Sequence, residues 1–195
     1  MAGPSKVVPE NNSDRLLKVR ASLRDTCWCF FASLFSSVAI NYWRRLVNGP
    51  WQIIRVWFPT LHISSFEITS PATTRYNCIA WAAGEDHVWW WPGGRYWPDG
   101  VPKEESIEAF TQAYAKLGYA PCETDEPETS VDKVALYVGA DGRVLHAARQ
   151  LPDGAWTSKL GEAWDISHEL RGLEGENYGR VACILKRPRA AGTGQ

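Results

Sequence analysis

Residues 134–138 (VALYV) and 144–148 (VLHAA) are two short alternating runs separated by Gly139-Ala140-Asp141-Gly142. A period of two sends successive side chains to opposite faces of a sheet, and a Gly/Asp-rich gap between two such runs is a hairpin signal. The rest of the chain must supply partners for that pair. Residues 155–160 form a third run after the turn Pro152-Asp153-Gly154, and residues 180–186 (RVACILK) read as a buried last strand. Residues 66–69 (FEIT) alternate like an edge strand that Ser70-Pro71 ends.

Ahead of the sheet the period changes. Ile107, Phe110, Tyr114 and Leu117 recur at helical spacing after Pro102; Glu104, Glu105 and Glu108 suit the positive end of the dipole, Lys116 the negative end, and Gly118 stops the helix. A shorter apolar helix carries Cys78 in YNCIAWA (residues 76–82), with Thr73 or Thr74 as its cap and Gly84 as its end. Helices followed by an antiparallel sheet make an α+β domain over residues 51–188. Residues 189–195 read as a disordered tail.

Residues 1–50 read as a helical extension. They carry a charge balance of +4 against −5 for residues 51–195, so the body is acidic and a nucleic-acid surface is not expected. Residues 26–43 are free of charge, but polar and apolar side chains separate onto two helical stripes, so an amphipathic helix fits better than a membrane span. Residues 26–47 thus offer a contact to a membrane surface or a partner, Gly49-Pro50 break the helix, and residues 51–58 form an apolar approach to the domain. The five cysteines include no C-x-x-C pair, which points to reduced thiols, a cytoplasmic setting, and neither a metal nor a cofactor.

Two features carry chemistry. Cys78 opens a helix, where the dipole and free backbone N–H groups favour a thiolate and can hold an oxyanion. His146 lies on a later strand, where an imidazole can act as general base. Asp165 is the best orienting partner for it, with Ser158 and His168 as the other candidates; Asn77 beside the thiol is a candidate oxyanion donor. The other feature is residues 85–102, a long loop with Trp89, Trp90, Trp91, Tyr96 and Trp97 between two Pro-Gly clusters. With Lys159 as an anion-binding side chain, those rings are expected to line a substrate cleft for a peptide or another amide-containing ligand.

The order of Cys-bearing helix, then His-bearing hairpin, resembles the papain-like fold. The stretch DKVALYVGADGRVLHAA (residues 132–148) resembles the hairpin of bacterial cell-wall cysteine peptidases and amidases. That resemblance implies a Cys-bearing helix packed on an antiparallel sheet, and a thiol hydrolase or acyltransferase acting on an amide bond. In those enzymes the base histidine opens the first hairpin strand, a place held here by Lys133, so His146 would have to take over as base. Residues 57–188 also resemble an uncharacterised bacterial domain family marked by YNCIAWA, WWWP, YWP, HAARQLPDG and WTSKLG. The alternative to catalysis is a binding module whose contact surface is the tryptophan loop.

Overall fold

The computed structural model describes residues 49–61 and 66–189. From Pro50 onward the chain forms one unit. Residues 1–48 of the expected extension (1–50) and residues 190–195 of the expected tail (189–195) lie outside the described residues; Arg189 is held by Asp132 and the Val131 carbonyl. No described helix is long and apolar enough to cross a membrane.

Gly49-Pro50 does more than break a helix. Pro50 opens one, α1 (Pro50–Trp57), because the first helical position needs no backbone N–H and suits the fixed φ of proline. The next elements are β1 (Phe66–Ser70), α2 (Cys78–Ala83) and α3 (Ile107–Ala115). The cap of α2 is Asn77, whose side chain accepts from the Ala80 N–H, rather than Thr73 or Thr74; Gly84 ends the helix at φ 92°, as a left-handed stop requires. Ser106 caps α3, its side chain accepting from the Ala109 N–H.

The remaining strands are β2 (Ala120–Cys122), β3 (Val131–Val138), β4 (Val144–Gln150), β5 (Trp156–Lys159), β6 (Asp165–His168) and β7 (Arg180–Pro188), with a 3-10 turn at Leu170–Leu173. They form one seven-stranded sheet in the order β1-β6-β5-β4-β3-β7-β2. Every pairing in it is antiparallel. The hairpin read from residues 134–148 is its centre. Strands β2 and β6 had no counterpart in the alternation: β2 holds Pro121, which only an edge strand tolerates, and β6 (DISH) is too polar to be read as buried.

Both faces of the sheet are covered. One face packs Val134, Leu136, Val138, Val144 and Ala147 against α2, α3 and the aromatic loop. The other packs Ala135, Tyr137, Ala148, Trp156 and Ile166 against α1, Phe66 and the 3-10 turn. Double coverage explains why β3 reads as nearly unbroken hydrophobic sequence instead of a clean polar alternation.

Three bulges interrupt the pairing, one of them in β1, where Ile68 faces Ile166 and Ser70 faces Asp165. On the β3–β4 side Tyr137 faces His146 while Val138 faces Val144, so β4 carries an extra residue there. On the β3–β7 side Leu136 faces Cys183 while Tyr137 faces Val181. Just before β7, Gly179 has φ 74° and lies so close to the Val138 carbonyl that a side chain could not fit.

Candidate functional site

The Cys78 thiol is buried at the start of α2, over β4. Burial pushes its pKa up to about 11, although the Ala147 and Ile79 amides and the charge of Lys159 all act to lower it. The resting group is therefore a thiol at neutral pH. On the same face, Asp165 accepts hydrogen bonds from Tyr76 Oη and Ser70 Oγ, each at 2.6 Å, while its Oδ1 is buried without a partner. Burial, then the hydrogen bond to Asp165, pushes the Tyr76 phenol up to about 12. Lys159, the cross-strand partner of Asp165, is fully buried; its Nζ lies 5.4 Å from the Tyr76 ring centroid and donates to the Ala163 carbonyl. Burial lowers its pKa, and the charges of Asp165 and Cys78 oppose that shift. Lys159 thus belongs to the interior and not to a substrate cleft.

His146 is on the other side of the sheet. Its cross-strand partner is Tyr137, in the opposite core, whereas Leu136 and Ala147 pack with Cys78. Strict alternation from Val144 would have placed His146 on the Cys78 face. The extra residue in the β3–β4 bulge reverses that parity, so the expected Cys78–His146 pair is not assembled. Asp165 stays with Cys78 and cannot orient the imidazole.

Of the three orienting candidates, Ser158 meets His146 directly and His168 through it: Ser158 Oγ lies 2.9 Å from His146 Nε2 and 2.8 Å from His168 Nε2. His168 Nδ1 faces the Glu169 carbonyl at 2.7 Å, which accepts only, so that nitrogen carries the proton. His168 Nε2 then accepts from Ser158, and Ser158 accepts from His146 Nε2–H. His146 Nδ1 is left as a bare, buried lone pair, and the ring stacks on Tyr178 at 3.9 Å. Burial holds both imidazoles neutral: His168 falls to about 4, and His146 is lowered further by proximity to His168.

Lys133, in the place where the cell-wall enzymes keep their base, is a clamp. Its buried Nζ donates to the Thr124 and Glu126 carbonyls at 2.9 and 2.6 Å and pairs with Glu128 at 2.7 Å, fixing the acidic linker to the sheet. Asn77 is likewise spent. Its amide donates to the Trp90 carbonyl at 2.8 Å and its Oδ1 accepts from Ala80 and Trp90 N–H, so it bolts α2 to the loop instead of facing an oxyanion.

The aromatic loop divides into two parts. Trp90 is buried among α2 and α3 side chains, Trp97 meets Phe110 edge-on, and Tyr96 leans on Trp90 with its ring 42% exposed. Trp89 and Trp91 wall a cavity of about 440 Å³, completed by Thr74, Gly94, Arg95 and Glu162, and Trp91 also packs on the core with its ring edge-on to Phe110. The Trp89 N–H donates to the Thr74 carbonyl at 2.7 Å and the Trp91 N–H to Glu105 at 3.1 Å, so both indoles are held in place. Thr74, Arg95 and Glu162 carry no sequence pattern that would have marked them. A second hollow, of about 720 Å³, lies at the β1–β6–β5 end with Trp156 and His168 in its wall and Glu67, Asp125, Glu126 and Glu169 around it.

Among the described residues, no group of three or more His, Cys, Asp or Glu is placed to hold a metal ion. Residues 67–186 match the family model described as Domain of unknown function (DUF7689). The chain belongs to the DUF7689 family. No curated protein and no solved structure matches it. The DUF7689 match runs from Glu67 in β1 to Lys186 in β7, and so takes in α2, the aromatic loop and the cavity but not α1.

Proposed function

We propose that this DUF7689 domain is a binding module whose ligand sits against the tryptophan loop. The observation that carries the reading is the cavity between Trp89 and Trp91. Its volume falls in the range of about 300–1,000 Å³ usual for small-molecule sites, and its aromatic walls are fixed before any ligand arrives. Since both indole N–H groups are already satisfied, the rings offer apolar surface, and the polar contacts come from Thr74, Arg95 and Glu162. An aromatic amide is the simplest probe of such a site. Titrating benzamide into protein labelled at the indole nitrogens should shift the Trp89 and Trp91 resonances in NMR spectra and leave Trp90 and Trp97 in place; shifts spread over all four, or none, would reject the reading.

A second reading keeps thiol chemistry on an amide substrate in a papain-like arrangement. What favours it is that Cys78 opens α2 under the Ala147 and Ile79 amides, with Lys159 on the same face. In it Cys78 is the nucleophile, Lys159 is the base in place of His146, and the His146–Ser158–His168 chain is structural. The buried, protonated thiol makes this the weaker of the two.

A further inference from the structure

We propose that the Trp89–Trp91 cavity takes a small zwitterion of the amino-acid type, with its carboxylate on Arg95, its ammonium on Glu162 and its apolar side chain against the two indoles. The inference rests on the binding reading above and adds the class of ligand. Arg95 and Glu162 line the same cavity, and neither forms an ion pair with another described residue. Among the described residues Arg143, Arg171, Arg187 and Arg189 are each held by a carboxylate within 3.3 Å, whereas Arg55, Arg75, Arg149 and Arg180 share the unpaired state of Arg95 but do not line the cavity.

A monovalent anion would answer Arg95 and leave Glu162 facing it, and a monovalent cation would do the reverse. One molecule with both charges satisfies both, and charge-assisted hydrogen bonds are the stronger kind. Guanidinium suits a carboxylate because its forked donors match the two oxygens. Trp89 and Trp91 line the same cavity and offer surface for an apolar group, and an indole's negative π-surface also favours an ammonium nearby. The volume of about 440 Å³ admits a free amino acid or a dipeptide.

Isothermal titration of the full chain with L-phenylalanine, N-acetyl-L-phenylalanine, L-phenylalaninamide and methyl β-glucoside tests this. L-Phenylalanine should bind most tightly, and blocking either charge should weaken binding about tenfold. Arg95→Gln should abolish the penalty for amidation alone, and Glu162→Gln the penalty for acetylation alone; both side chains are exposed, so the fold should be kept. Equal affinity for the three phenylalanine compounds overturns the zwitterion and leaves the binding reading standing. Tighter binding of the glucoside overturns it as well. If neither phenylalanine nor benzamide binds, both proposals fall.

Discussion

The two faces of the sheet are made by the same strands and are equally well buried, yet they hold different kinds of polar group. The α2 face keeps a thiol, an ammonium and a carboxylate in separate polar contacts, and next to it an aromatic cavity opens to solvent. The α1 face keeps two neutral imidazoles linked through one hydroxyl, with no charge among them. Residues that look like one catalytic set in the sequence are thus divided by a layer of backbone. The difference teaches that in a sheet covered on both sides, neighbours along a strand are the residues least able to work together.

The sharpest way to test the division is within the loop itself. Trp90→Ala should cost about 3–5 kcal/mol in urea unfolding, because Trp90 fills the α2-side core. Trp89→Ala should cost under about 1 kcal/mol, as expected for a half-exposed side chain, while removing the benzamide response. Similar stability losses in the two variants would break the distinction between core and cavity wall.

A comparable effect is expected on the other face. Ser158→Ala strands His146 Nε2–H and His168 Nε2, which should cost about 1–3 kcal/mol for each unsatisfied group, with benzamide affinity unchanged because the cavity is across the sheet. The same face sets a pH dependence. The unfolded chain takes up protons on these histidines near pH 6.5, whereas folded His168 resists until about 4 and His146 is also lowered. Urea midpoints should therefore fall as pH drops from 6.5 towards 4, and His168→Gln should flatten that part of the slope. A wild-type slope that the variant leaves intact would show that other groups control it.

The smallest effect concerns the thiol. With a pKa near 11, Cys78 should be alkylated at pH 7.5 about two orders of magnitude more slowly than a free thiol, as read by site-resolved mass spectrometry. Rapid labelling of Cys78 at that pH would shift the balance towards the second reading.

Much of the fold was legible because its strongest signals are local. The β3–β4 hairpin shows two short apolar runs around a Gly-Asp turn, and α3 shows helical spacing between Ile107 and Tyr114. The strand β6 was not legible, since it is short and polar and Asp165 is buried by a partner that lies far off in sequence, Tyr76. Cys78 as the first residue of a helix was legible from its flanking residues. Its separation from His146 was not. That depends on one extra residue in β4, and with Val144, Ala147 and Ala148 all buried, no polar contrast marks where the alternation slips. The cavity was half legible: tryptophans announced aromatic surface, but which of them would be walls depended on α3 and Glu105 further along the chain.

The bare lone pair on His146 Nδ1 bears on how acid takes the molecule apart. A proton arriving there would place a cation beneath the Tyr178 ring with no carboxylate in contact, in a site that offers it no hydrogen bond. Acid therefore acts on the sheet through its α1 side, where both imidazoles must gain a charge that only the unfolded chain accommodates.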